Sequence, residues 1–179
     1  MEELIVTIRE TSNPAMFDYL VTIVPIFLSL VAIIISIYTA YKQNKITLFE
    51  KRYPVVNTVS FLASIAKKLF SERLTDNIIL RHEADDYISA NLPNRKTPGS
   101  NHEYGWFYRD LEFEVSKINY LFPESLAKPV TPFVEAFIKY AWKSLNDLDS
   151  DDEKGVLKER FDNLEKANVI EKMGKYLKL

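Results

Sequence analysis

Between Tyr19 and Tyr41 the chain carries no charged residue, and most of that stretch is Leu, Ile, Val and Phe. A water-soluble domain rarely holds such a run. At about 1.5 Å per residue, a helix of this length crosses a hydrocarbon core of about 30 Å. Thirteen Leu, Ile, Val and Phe residues fall between Leu20 and Ile37. At about −0.3 to −0.6 kcal/mol each, they favour insertion by at most roughly 4 to 8 kcal/mol. Thr22, Pro25, Ser29 and Ser36 offset part of this, and none is charged. Pro25 removes one backbone donor, which membrane helices tolerate.

Two other readings of the run are weaker. A cleaved signal peptide begins with a basic region and has a shorter apolar core. Here Glu2, Glu3, Arg9, Glu10 and Asp18 precede the run and are acidic on balance. A helix buried on all sides needs a larger protein than 179 residues supply. The flanks set an orientation. Lys42, Lys45, Lys51 and Arg52 follow the run, opposed only by Glu50, whereas the preceding tail has only Arg9. Lysine and arginine beside a span stay in the cytoplasm, so the expectation is N-terminus outside and C-terminal domain in the cytosol. Tyr19, Tyr38 and Tyr41 lie near the ends, where amphipathic rings favour the interface.

The expected organisation is an external tail over 1–18, a transmembrane helix over 19–41, a basic juxtamembrane helix over 42–53 and a cytosolic helical domain over 54–179. Roughly 135 residues beyond the span suffice for one core. Only four glycines leave few positions for tight turns, which disfavours a β-rich fold. The absence of cysteine excludes disulfides, thiolate metal sites and cysteine nucleophiles. A net charge of −2 supplies no basic field for nucleic acid, so no direct nucleic-acid partner is expected. No cofactor is expected, since phosphate-binding glycine loops, GxSxG elbows and dinucleotide fingerprints are all missing from the sequence.

Periodicity predicts an all-α domain of about four to five helices. Ile46, Phe49 and Tyr53 give the juxtamembrane helix one apolar edge, and Pro54 is expected to break it. Val55, Val59, Leu62, Ala66 and Leu69 recur at helical spacing and predict a helix over 55–73. A shorter helix follows over 75–92, then the loop PNRKTPGSN. Phe107, Leu111, Ile118 and Leu121 form a stripe over 103–122, closed by Pro123. Pro129 and Pro132 flank the start of a helix over 131–148 that buries Phe133, Phe137, Tyr140 and Leu145. Ser150 with Glu153 matches a capping box and starts a last helix carrying Leu157, Phe161, Leu164, Ile170, Met173 and Leu177.

Several constellations are candidates for function. Ser29, Ala32, Ser36 and Ala40 put small residues on one face of the span, and small residues let helices approach closely in lipid. This predicts self-association or pairing with a membrane partner. Lys42, Lys45, Lys51 and Arg52 are placed at the membrane surface, each able to contribute about 1 kcal/mol near anionic headgroups. His82, Glu83, Asp85 and Asp86, with His102 and Glu103 after the loop, have the donor types of a divalent-metal site. Their spacing is not the HExxH that sets two histidines on one helical face, and a solvated acidic face explains them equally. Asp147, Asp149 and Asp151 match the first ligands of a calcium loop, but Asp152 and Lys158 stand where glycine and a bidentate glutamate belong. Trp106, Phe107 and Tyr108, after Gly105, form a dense aromatic segment that offers a partner or ligand surface but is read mainly as core.

The stretch KQNKITLFEKRYPVV after an N-terminal span resembles a group of uncharacterised small bacterial single-pass membrane proteins. These combine an LFEKRY-like juxtamembrane stretch, a segment like INYLFPESL and an end like MGKYLKL. The likeness touches Asn44, Leu48 to Tyr53, Leu121, Phe122 and Tyr176 to Leu179, and Pro54 departs from the pattern. It implies a bacterial inner-membrane protein with a helical domain and brings no catalytic residue. The functional expectation is a non-enzymatic membrane effector or signalling module whose cytosolic domain binds a protein and whose span self-associates. A phage-defence or toxin-like effector is its sharper form. A membrane-anchored metal-dependent hydrolase using His82, Glu83 and Asp86, or a structural adaptor, are the alternatives.

Overall fold

A computed structural model describes residues 14–71 and 74–178. Every regular element among them is helical. Helix α1 spans Pro14–Ser71, α2 Asp76–Asn91, α3 Asn101–Val115, α4 Ile118–Leu121, α5 Glu124–Leu145, α6 Asp151–Lys166 and α7 Val169–Lys175. Two compact units divide the chain, Met1–Ile46 and Thr47–Leu179. Residues 1–13 of the expected tail lie outside the described residues. Helix is already in place from Pro14, at the first helical position, where a proline loses no intrahelical bond.

In the first unit α1 is long and apolar enough to cross a membrane, and none of its most apolar stretch is buried. Ile26 and Ile37 are each 65 % exposed. No described residue encloses these side chains, so among the described residues this stretch of the helix has no core around it.

The second unit holds the core. Val55, Val59, Leu62, Ala66 and Leu69, the stripe read from the sequence, are all buried. Helix α5 packs against α2, α3, α4, α6 and α7 and is the central rod. A seam of rings runs through the unit. Phe61 meets Phe107, Phe107 meets Tyr108, Tyr108 meets Phe137, and Phe133 joins Phe137 to Phe161, which in turn meets Phe70. Centroid separations of 5.2 to 6.5 Å are those of tilted and edge-on aromatic pairs.

Five expectations about boundaries are corrected, one being the single last helix, which breaks after Lys166 at the left-handed Asn168 into α6 and α7. Helix α1 continues through Pro54. The proline deprives only the Glu50 carbonyl of its donor, and Glu50 is exposed, so water satisfies it. Helix α5 begins at Glu124 and contains both Pro129 and Pro132. The carbonyls they strand belong to Ser125 and Lys128, again on exposed residues, while Val130, Phe133 and Val134 hold the inner face. The stripe over 103–122 is two helices, because α3 ends at Val115 and the short α4 follows. The capping box lies elsewhere too. Ser150 sits at the start of α6 without a side-chain cap bond, and Glu153 turns to lysines of α5. A variant of the box forms at Ser100 with Glu103, whose carboxylate reaches the amide just before the cap residue. Ser100 Oγ accepts from the Glu103 amide at 3.3 Å, and Glu103 Oε2 accepts from the Gly99 amide at 2.6 Å.

Two helix ends rely on aspartate and asparagine instead of glycine. Asp147 (φ 55°) and Asn168 (φ 50°) occupy the left-handed region just after α5 and α6. The Leu148 amide donates to Lys143 O at 3.0 Å and the Asp147 amide to Ser144 O at 3.3 Å, the two bonds of a Schellman stop.

Candidate functional site

The first candidate is the small-residue face of the span. Ser29, Ala32, Ser36 and Ala40 are all exposed. Ser29 Oγ donates to the Pro25 carbonyl at 2.7 Å, and Ser36 Oγ donates to the Ala32 carbonyl at 2.8 Å. Both hydroxyl protons are thus satisfied within the helix, which lets serine sit in an apolar medium without a partner.

The cations after the run divide. Lys42, Lys45 and Lys51 are exposed, and Lys45 Nζ lies 5.2 Å from the Tyr41 ring centre. Arg52 stands apart from these lysines, because its guanidinium is taken up by the helical domain. Its Nε donates to the Leu121 carbonyl at 3.0 Å, and its plane lies over the rings of Phe122 and Tyr176 at 5.6 and 5.2 Å. Those two rings contact one another edge-on at 5.8 Å. One arginine therefore joins three segments distant in sequence: the LFEKRY stretch, the LFPES stretch and the C-terminal KYLKL. Arginine suits the position because a delocalised, weakly hydrated cation stacks on aromatic faces while still donating.

Donor atoms of His82, Glu83 and Asp86 lie within 4.8 Å of one another. His82 Nδ1 is 3.3 Å from Asp86 and 3.9 Å from Glu83. Glu83 already pairs with the ammonium of Lys68 on α1, and His82 and Asp86 are both largely exposed. A metal ion would have to displace that cation. Asp85 is not part of this group, since its carboxylate accepts from the Tyr104 hydroxyl at 2.8 Å. The aspartates of the calcium-like stretch serve the turn between α5 and α6. Asp147 supplies the left-handed residue, and Asp149 accepts from the Asp151 amide at 3.2 Å.

Three buried tyrosines tie α2 to its neighbours. Burial, and then the bond to Asp85, push the Tyr104 phenol up to about 12. Burial raises Tyr108 well above the ordinary range, with Glu83 and Asp85 adding to it, and its hydroxyl donates to the Leu80 carbonyl at 2.6 Å. Tyr140 is raised by burial and by its bond to Asp76, whose carboxylate also receives Lys154 Nζ at 2.6 Å. Each phenol acts as a fixed donor, and none is set up to ionise in neutral solution. Glu153 is the opposite case. Lys143 at 2.8 Å, joined by Lys139 at 3.2 Å, holds its carboxyl below the usual range.

Sequence reasoning marked the segment from Trp106 to Tyr108 and missed what Gly105 and Trp142 do there. Gly105 lies in the middle of α3, where glycine weakens a helix. A Cβ there would sit 2.6 Å from the Trp142 ring, so only glycine lets that indole of α5 lie across α3. Trp142 meets His102 at 5.4 Å and Trp106 at 6.4 Å, both edge-on. Trp106 Nε1 donates to His102 Nε2 at 2.7 Å, and Arg109 lies 5.3 Å over the Trp106 ring. Phe107 and Tyr108 are core as expected, whereas Trp106 is 46 % exposed. An interior glycine between a histidine and a tryptophan four residues apart was the available signal.

No family model matches the chain, and comparisons with curated proteins and with solved structures find no match.

Proposed function

We propose that this chain is a single-span protein of a bacterial inner membrane, N-terminus outside, whose cytosolic helical domain binds a protein partner. In this reading it acts as a non-enzymatic effector or signalling module, and a phage-defence or toxin-like effector is its sharpest form. The observation that carries it is the uncharged stretch of α1 whose apolar side chains no described residue encloses. Exposing so many Leu, Ile and Phe side chains to water is strongly unfavourable, at about 25 cal/mol per Å² of apolar surface, and lipid removes that cost. The lysines after the run support the orientation, and the small-residue face supports self-association.

The absence of cysteine makes the topology directly testable. Single variants Ser12→Cys and Asp149→Cys are exposed to a membrane-impermeant maleimide on intact cells. Labelling at position 12 before lysis and at 149 only after lysis is expected; the reverse pattern overturns the orientation, and labelling of a protein that stays in the ultracentrifuge supernatant overturns the span. Overproduction tests the effector reading. Growth arrest with depolarisation, relieved by Ser36→Leu with Ala40→Leu, is expected; undisturbed growth and potential would leave an adaptor role.

A second reading, a metal-dependent hydrolase, is favoured by the approach of His82, Glu83 and Asp86. It requires stoichiometric zinc bound by the purified protein and lost in His82→Ala. Metal-free protein that ignores added zinc removes it.

A further inference from the structure

The clasp at Arg52 brings two stretches of positive charge to one end of the second unit. From Lys42 to Arg52 the sequence has four cations and one carboxylate, Glu50. From Lys166 to Lys178 it has four lysines and one carboxylate, Glu171. Tyr176, from the second stretch, rests against Arg52 and Phe122. The turn between α3 and α4 joins the same end. An open pocket of about 410 Å³ is lined there by Glu50, Lys51 and Pro54 of α1 with Glu114, Lys117 and Tyr120. Tyr120 is 91 % exposed.

Ion pairing leaves a positive surplus at this end. Lys117 pairs with Glu114 at 2.7 Å and Lys175 with Glu171 at 3.3 Å. Lys51, Lys172 and Lys178 are exposed and have no ion-pair partner among the described residues. Glu50 and Glu124 oppose them, and Lys128, one turn on from Glu124, adds to them. The opposite end carries the opposite sign. Helix α5 begins two residues after Phe122 and runs for 22 residues, about 33 Å, to Leu145. Beyond it Asp147, Asp149, Asp151 and Asp152 are exposed and have no ion-pair partner among the described residues. The lysines nearby are engaged, Lys139 and Lys143 with Glu153 and Lys154 with Asp76. The unit is thus polarised along α5, positive where α1 enters it.

We propose that the positive end of the helical domain docks on anionic phospholipid headgroups of the membrane that α1 crosses. This deepens the proposed single-span reading and rests on it. Ten residues of α1 separate Tyr41 from Lys51, at most about 15 Å along the helix. With Tyr41 at the hydrocarbon edge, a headgroup layer of about 5 to 7 Å and a Debye length of about 8 Å reach about that far. The field of an anionic surface therefore extends to the end of the domain that carries the surplus lysines. Each lysine near such a surface shifts the ratio of docked to free domain about fivefold. Tyr120 suits the same place, because an exposed amphipathic ring favours the headgroup level. The aspartates beyond α5 are repelled, so charge selects which end docks. Arg52 is a positioning residue here: it holds the C-terminal segment, with its lysines, beside the juxtamembrane helix.

The test places the full chain in nanodiscs of phosphatidylcholine, alone or in equal parts with phosphatidylglycerol, each with a trace of phospholipid bearing a headgroup nitroxide. With no native cysteine, one fluorophore can be set on Asn119→Cys beside Tyr120 or on Asp149→Cys beyond α5, both exposed positions. Strong nitroxide quenching at 119 and little at 149 are expected in the anionic nanodisc. The quenching should be lost in the neutral nanodisc and in molar salt, where the Debye length falls to about 3 Å. Lys172→Gln with Lys178→Gln should lower the docked-to-free ratio at least about tenfold, with circular dichroism to check the fold. In an Arg52→Gln background the same lysine pair should matter less, because the tail is no longer held in place. No quenching at 119, quenching that ignores lipid charge and salt, stronger quenching at 149, or a ratio unmoved by the lysine changes would each overturn the docking. All four are read on protein already inserted in the nanodisc, so they leave the span standing. Protein that never enters nanodiscs overturns the span, and the docking with it.

Discussion

Helix α1 contains two apolar stretches that share one secondary structure and differ in what covers them. Over 21–41 the apolar residues surround the helix, and nearly all are exposed. Over 55–69 they form a stripe, and Val55, Val59, Leu62 and Ala66 are fully enclosed by protein. The difference lies in pattern more than in hydrophobicity. A stripe with polar residues opposite can satisfy one protein neighbour on one side and water on the other. An all-round surface needs a solvent that is itself apolar, or a large protein around it. Backbone helicity is common to both, because intrahelical hydrogen bonds are needed equally in lipid and in a core.

The largest effect that would break this contrast is expected in the first stretch. Leu30→Lys with Ile34→Lys adds about 2.5 to 3.5 kcal/mol per lysine near the span centre, enough to cancel the estimated gain on insertion. The protein should leave the carbonate-resistant membrane fraction; full retention there would show that the stretch is held by something other than lipid. Next comes the core of the second unit. Phe137→Ala removes a fully buried ring at the centre of the aromatic seam and should cost about 3 to 5 kcal/mol. Thermal melting in detergent should show the loss of the domain while carbonate extraction still shows a membrane protein. If both properties fall together, the two units are not independent in stability.

Gly105→Ala is expected to cost about 1 to 3 kcal/mol through overpacking against Trp142, although alanine is the better helix former. A variant as stable as the parent, with unchanged tryptophan fluorescence, would show that the indole relaxes freely. Arg52→Gln should cost about 1 to 2 kcal/mol, because it loses the cation over Phe122 and Tyr176 along with a charge-assisted bond to Leu121. The same change at Lys42 or Lys45 should leave the melting curve unmoved. This pair of results would sharpen the division between cations held by the domain and cations free to face headgroups.

The smallest effect at neutral pH is expected from the buried tyrosines, and it grows only in alkali. Tyr104 and Tyr108 have folded values above the ordinary phenol value of 10.0, so the folded state keeps protons that the unfolded chain releases. Their contribution is complete below about pH 10 and is lost as pH rises, for Tyr104 through about 12. Phenolate absorbance recorded alongside circular dichroism should show ionisation of these residues tracking unfolding, with a shallower alkaline decline in Tyr104→Phe. A normal phenol titration in a fully folded protein would contradict the burial.

Much of the fold was legible because periodicity is local. The stripes through Val55 and Leu69, and through Phe133 and Leu145, needed only residue spacing to be read as helices. Prolines misled that reading at 54, 129 and 132. Whether a stranded carbonyl matters depends on the exposure of the residue four positions earlier, which spacing alone does not reveal. The Ser150–Glu153 match failed for a related reason: Lys139 and Lys143, remote in sequence, offer Glu153 a stronger interaction than the helix end does.

The sequence alone determined that one helix is long and apolar enough to cross a membrane and that the described remainder is helical. Both properties follow from side chains acting on their own backbone and on the medium. Only tertiary structure decided that Arg52 serves the domain and that Gly105 admits Trp142. Each of these depends on residues from different helices meeting in space, and the energy of such a meeting belongs to a pair of residues that neither local sequence contains.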